Sequence, residues 1–101
     1  MRSYEVAVII DPDVDDRQIQ PLIDNHLKVI TAGGGSVENV DLHGRRRLAY
    51  RIKNSSQNAY KVEGVYVFAH VSAEPATVAE LHRRLNLDDK ILRNKVFRPD
   101  A

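Results

Sequence analysis

The residues best suited to chemistry in this chain are the cations of one short stretch. Residues 44–53 read GRRRLAYRIK and contain five basic side chains. Leu48, Tyr50 and Ile52 share one parity and Ala49, Arg51 and Lys53 the other, as in a β-strand that buries one side. Two interpretations follow from this pattern. The stretch is either a solvated strand whose charge blunts a sheet edge, or a surface that meets phosphate.

Aromatic side chains elsewhere strengthen the second interpretation. Tyr66 and Phe68 alternate in a later strand-like segment, and Arg93 and Lys95 project together from the last one. Cations interleaved with flat side chains are typical of surfaces for single-stranded or irregular RNA, where charge holds the backbone and rings stack on bases. The alternative is that Tyr66 and Phe68 pack in a core or under a partner protein, as strand aromatics commonly do.

No grouping of residues indicates catalysis or a metal site. The four histidines, His26, His43, His70 and His82, show no ligand spacing, and the chain has no cysteine. The aspartates of residues 11–16 stand where a helix start accepts acidic residues, and they lack the pattern of a calcium loop. Acylphosphatase-type chemistry would need a glycine-rich loop after the first strand, where this chain has Asp-Pro-Asp. We therefore expect no enzyme, no metal and no cofactor.

Length and net charge further limit the classes to which the protein can belong. The 101 residues fit one domain, residues 1–101, and a net charge of +1 means that nucleic-acid binding must depend on where the charges sit. We expect no signal peptide and no membrane span. The absence of cysteine is compatible with a cytoplasmic location.

Hydrophobic periodicity predicts six elements in the order β-α-β-β-α-β. The first helix follows an Asp15 cap with Gln18 as its capping-box partner, ends before the glycines at 33–35, and is kinked or starts late because of Pro21. Pro75 opens the second helix, which closes within residues 86–89. Strands are expected over residues 2–10, 36–53, 64–71 and 90–98, with a hairpin loop at 54–58.

In two strands, the side of the sheet on which each side chain lies matters for binding. Gly44 interrupts the alternation of the second strand, which predicts a bulge or bend and leaves the orientation of the arginines at 45–47 open. In the last strand, parity predicts Leu92 and Val96 on one side and Ile91, Arg93, Lys95 and Phe97 on the other.

The element order is the split βαβ, or ferredoxin-like, pattern of the α+β class. It predicts a four-stranded antiparallel sheet with two helices on one face. The other face is left for solvent, RNA or a partner protein. A ferredoxin-like module that pairs with itself through this face, or that senses a small molecule, is the competing hypothesis.

Four segments resemble one family, the bacterial small-subunit ribosomal protein S6 family. They are MRSYE at the start, GRRRLAYRIK at 44–53, AEPATV at 73–78 and LRNKV at 92–96, in that order. The resemblance covers nearly the whole chain. It implies a structural, non-catalytic component of the small ribosomal subunit in the cytoplasm. Its partners would be ribosomal protein S18 and the central domain of the small-subunit ribosomal RNA, bound jointly, with no membrane and no small-molecule substrate.

The resemblance also implies roles for individual residues. By matching position it assigns Arg2, Arg93 and Lys95 to RNA. We further assign Arg45 to RNA and Arg46, Arg47 and Tyr50 to the partner interface, where partner contact and nearby RNA are alternatives for all four. Tyr66, a candidate from the strand pattern, is assigned to the partner interface. Burial in a core explains Leu48, Tyr50 and Ile52 equally well. The connection over residues 54–63 is longer than is usual in the family, which predicts an added polar loop.

Overall fold

The computed structural model of the chain describes residues 1–99, and its elements follow the predicted order. The sheet is antiparallel, with strand order β2-β3-β1-β4. The α+β class and the ferredoxin-like arrangement are therefore confirmed. Within residues 1–99, no helix has both the length and the apolar character needed to cross a membrane. The elements are β1 (Arg2–Ile10), α1 (Asp16–Ala32), β2 (Ser36–Asn54), β3 (Ala59–Ala73), α2 (Pro75–Leu87) and β4 (Ile91–Phe97).

The main hydrophobic core lies between the helices and one face of the sheet. β1 and β3 bury alternate residues, as period-2 patterning requires. The opposite residues of both strands lie on a face that neither helix covers, which we call the open face. The core includes Val6, Val8 and Ile10 of β1, Val65, Val67 and Val71 of β3, Ile23 and Ile30 of α1, and Leu81 and Leu85 of α2.

Helix α1 begins where the sequence predicts. The Asp15 carboxylate accepts the N–H of Arg17 at 2.9 Å, which satisfies a backbone donor that the first turn leaves free. The predicted partner, Gln18, was wrong, because its N–H bonds to the Asp15 carbonyl at 2.8 Å. The late start expected from Pro21 was also wrong. The cap and the buried face of the helix hold the first turn, and the helix runs through Pro21 to Ala32.

Strand β2 departs from regular pairing in three places. Gly44 has φ +81°, a left-handed conformation that glycine adopts without strain, so the predicted bend is confirmed. The last irregularity is the largest, since residues 48–51 oppose Val62 alone. The register shifts lie between Val37 and Asn39, between Leu42 and Gly44, and between Arg47 and Ile52.

Strands β2 and β3 continue beyond the end of β1. The last pair between β1 and β3 joins Ile10 to Val65, so residues 46–64 extend past it as a hairpin, which we call the arm. A turn of four residues closes the arm, and Ala59 already pairs with Asn54. The predicted polar loop over residues 54–63 was therefore wrong, because backbone pairing continues through most of that segment.

Strand β4 contains a bulge that changes one predicted facing. Ile10 pairs with Ile91 and Ile9 with Arg93, so Leu92 is the extra residue. Ile91 consequently lies on the core side, contrary to its predicted side, while Arg93 keeps the open face.

A partly buried polar pair connects α1 to the end of α2. His26 Nε2 lies 2.7 Å from the carboxylate of Asp88, which also accepts the backbone N–H of Lys90. Burial raises the pKa of Asp88, but the hydrogen bonds from Lys90 and His26 outweigh burial and hold that pKa below its ordinary value.

We predict that this pair makes the fold acid-sensitive. Because the pKa of Asp88 is lower in the folded state, its contribution to stability is present above the unfolded pKa of about 3.9 and is lost as pH falls through the folded pKa. Asp88→Asn should lower the free energy of unfolding at neutral pH by about 1–3 kcal/mol. It should also flatten the loss of stability under acid.

Thermal denaturation between neutral pH and about pH 2 measures both effects. Asp24→Asn, which removes an exposed carboxylate from α1, is the charge-matched control. Equal acid sensitivity in the wild type and in Asp88→Asn would contradict the prediction.

Candidate nucleic-acid and partner interface

The open face combines an apolar centre with cations along one edge. Its centre is formed by alternate residues of β1 and β3, which are half-buried and have no helix above them. Along the β4 edge, Arg93 and Lys95 are exposed. The register aligns Tyr66 with Ile9 and Arg93, and Phe68 with Ala7 and Lys95.

Gly44 determines which arginines of β2 reach this face. Arg46 pairs with Gly64 and lies on the open face, whereas Arg45 pairs with Val65 and lies on the helix side. Arg47, one residue further along, returns to the helix side. The orientation that the sequence left open is thus settled by the bend.

Leu48 forms a small apolar contact of its own on the open face. It is 8% exposed but does not belong to the main core cluster. A Cβ at Gly64 would lie 3.4 Å from Leu48 and 2.4 Å from Ile9, so both side chains occupy the space above this glycine. Tyr50 is 85% exposed, because the bulge at 48–51 breaks the alternation. A core position for Tyr50 was therefore wrong.

Histidines also take part in this face. The His70 ring lies 3.3 Å from the Glu5 carboxylate across the β1–β3 pair. His43 packs edge-on against Phe68, with ring centroids 4.8 Å apart. Period-2 alternation predicts the facing of His70, but the contact of His43 depends on the bend at Gly44.

Arg45 is engaged inside the molecule. Its guanidinium donates to the carbonyls of Pro12 and Val14 and to the Asp16 carboxylate, the last at 2.7 Å. These contacts join the base of the arm to residues 11–16, which we call the acidic turn. The assignment of Arg45 to RNA stays a prediction, but the structure shows that this side chain holds the arm.

A second link between the arm and the acidic turn is buried. Asp11 is 1% exposed, and its carboxylate accepts the side-chain amide of Asn54 at 2.8 Å and lies 3.5 Å from the Lys61 ammonium. The same amide of Asn54 donates to the carbonyl of Asp89 at 3.0 Å. Lys61 also pairs with Asp13 at 2.5 Å, and this hydrogen bond is the main reason that the pKa of Lys61 is raised.

Sequence reasoning missed this link. Asp11 reads as an ordinary turn residue, and Asn54 lies 43 positions away in a segment that reads as a loop. The available signal was the position of Asp11 directly after an apolar strand. An aspartate there is held close to the core and needs donors.

The residues assigned by resemblance occupy different parts of the fold. The open face brings together Arg46, Tyr66, Arg93 and Lys95. Arg2 is exposed at the far end of β1, where it pairs with Ala73. The remaining members, Arg45, Arg47 and Tyr50, lie on the helix side of β2 or on its bulge.

We predict that Arg45 and Arg46 differ in their effect on stability. Arg45→Ala removes three acceptor contacts at a partly exposed site and should lower the free energy of unfolding by about 1 kcal/mol. Arg46→Ala removes an exposed side chain from the open face and should change the free energy of unfolding by less than about 0.5 kcal/mol. Chemical denaturation of both variants makes the comparison. Equal stability of the two would show that the contacts of Arg45 do not hold the arm.

Comparisons with known proteins identify relatives over the whole chain. The family model described as Ribosomal protein S6 matches residues 3–98. The small ribosomal subunit protein bS6 of Streptomyces coelicolor is 52% identical over 100 residues, which cover 99% of this chain and 98% of that protein. The protein of the same name from a Nocardioides species is 50% identical over 101 residues, covering 100% and 99%.

Solved structures agree with this result. The crystal structure of 30S ribosomal protein S6 from Thermotoga maritima superposes with a TM-score of 0.83 at 26% identity, over 98% of this chain and 88% of that one. The C-terminal domain of the MgtC protein from Mycobacterium tuberculosis has a TM-score of 0.50 at 18% identity, over 96% and 86% of the two chains, and shares the fold alone.

Proposed function

Because the chain belongs to the ribosomal protein S6 family of structural, non-enzymatic small-subunit components, we propose that it binds small-subunit ribosomal RNA jointly with ribosomal protein S18. The RNA target is the central domain. The observation that carries the proposal is the open face, where a half-buried apolar centre adjoins exposed cations. An uncovered surface of this composition suits a protein partner and a phosphate backbone side by side.

Each part of this surface fits one partner. Arg93 and Lys95 stand exposed on β4, where they can neutralise phosphates without disturbing the core. Arg2, at the opposite end of the sheet, would meet a separate stretch of backbone. Arg45, already bound to the acidic turn, contributes to RNA binding chiefly by holding the arm.

The apolar centre fits the partner protein. Tyr66 is half-buried beside Phe68 and offers ring surface whose burial would stabilise a complex. Arg46 lies on the open face at the β2 side of this centre and Arg47 on the opposite side of the strand, while the exposed Tyr50 lies on the bulge further along β2. Tyrosine and arginine are the residue types enriched at such interfaces.

We predict that the isolated chain binds RNA weakly. Its net charge is only +1, so electrostatic attraction to RNA is small until the second protein adds its own surface. Titrations of central-domain RNA with the chain alone, and with the chain plus ribosomal protein S18, measure the difference. Tight and specific binding by the chain alone would refute joint binding.

A second prediction concerns the β4 cations. Arg93→Ala should reduce the slope of the logarithm of affinity against the logarithm of salt concentration by about 1, as expected for the loss of one phosphate contact. The melting temperature should stay close to that of the wild type, because Arg93 is exposed. Arg84→Ala, an exposed cation on α2, is the matched control and should leave the salt slope unchanged. A large fall in melting temperature for Arg93→Ala would show that its role is structural.

Co-purification tests the proposal as a whole. The tagged chain should sediment with small ribosomal subunits and bring ribosomal protein S18 with it. A stable homodimer that carries no RNA would favour self-pairing through the open face instead.

A further inference from the structure

The tip of the arm joins an exposed aromatic ring to exposed cations. Tyr60 is 56% exposed, and the Arg51 guanidinium lies 4.2 Å from the centre of its ring. Lys53 pairs with Tyr60 across the hairpin and is exposed as well. Tyr60 shares the parity of Tyr66 along β3, so the tip continues the open face beyond the end of β1.

Charge is distributed very unevenly along the chain. Residues 42–62 carry six of its 15 basic residues and none of its 14 acidic ones. The rest of the chain is therefore net negative, and the near-neutral total hides a strongly cationic segment that includes most of the arm. A surface with this charge attracts a polyanion.

The cations of the arm and of its base have two different roles. Arg45 and Lys61 turn to the helix side and are paired with aspartates of the acidic turn. Arg51 and Lys53 remain exposed beside Tyr60. The inward contacts hold the arm in one direction, so the outward groups lose little freedom when a ligand binds.

We propose that the tip of the arm is a second RNA-contacting element, separate from the β4 edge, on which Tyr60 stacks with an unpaired base while Arg51 and Lys53 hold adjacent phosphates. This inference rests on the proposed function, since it presumes a ribosomal RNA partner. Tyrosine rings and arginine planes both stack on unpaired bases, and each supplies its contact without reading sequence. The apolar contribution comes from the ring, and the electrostatic contribution comes from the two cations.

Cross-linking tests the contact in the assembled particle. Small subunits that contain this chain are irradiated with ultraviolet light and digested with nuclease and trypsin, and the nucleotide-bearing peptides are identified by mass spectrometry. Cleavage after Lys53 and Lys61 releases residues 54–61, NSSQNAYK, in which Tyr60 is the only aromatic residue. Tyr50 falls on a separate peptide, residues 48–51. The expected result is a nucleotide adduct on Tyr60, whereas an adduct on Tyr50 with none on residues 54–61 would overturn the inference.

Affinity measurements separate this inference from the proposed function. In titrations of central-domain RNA with the chain and ribosomal protein S18, Tyr60→Ala should weaken binding roughly tenfold, as expected for the loss of one stacked base. Tyr60→Phe keeps the ring and should bind as the wild type does. Leu87→Ala, which removes an apolar side chain that is 68% exposed on α2, is the control for a general loss of apolar surface.

Each contrary result has a distinct meaning. Wild-type affinity for Tyr60→Ala together with weakened binding by Arg93→Ala would overturn the arm contact and leave the proposed function standing. Unchanged binding in both variants would overturn both. If Tyr60→Ala instead weakens the complex of the two proteins formed without RNA, the tip belongs to a protein interface and the inference is wrong.

Discussion

The buried carboxylate of Asp11 is the contact on which the position of the arm depends. A carboxylate that is 1% exposed must be supplied with donors, because an unpaired charge at this depth costs several kcal/mol. The backbone N–H of Asp13 is one donor, and the arm supplies the others through the amide of Asn54 and the ammonium of Lys61. The requirement of one buried group therefore fixes the direction of a hairpin that extends beyond β1.

The same requirement separates structural charge from binding charge. The acidic turn takes up Arg45 and Lys61, and cations such as Arg46, Arg51 and Lys53 stay in contact with solvent. A count of basic residues along β2 and β3 would treat all of these cations alike. Their roles follow from the side of the strand on which each one lies, and that side is set by the bend at Gly44 and by the register of the arm.

Much of this fold follows from local patterns. Alternation in β1 and in the second half of β3 predicts which residues face the helices, and the break at Gly44 predicts the bend. What the bend does to Arg45 could not be predicted, because it depends on which β3 residue lies opposite. The exposure of Tyr50 has the same origin, since the bulge at 48–51 exists only relative to Val62. The link from Asp11 to Asn54 joins two segments that are each unremarkable when taken alone.

The irregular pairing of β2 has a consequence for the protein before assembly. β2 is an outer strand of the sheet and, at 19 residues, the longest one. A flat strand of that length would present a long row of free backbone groups to another molecule and invite aggregation. Because β2 has three register shifts and a row of arginines, it offers no long regular edge with which a second strand could pair. A newly made chain can therefore remain dispersed while it waits for its place in the particle.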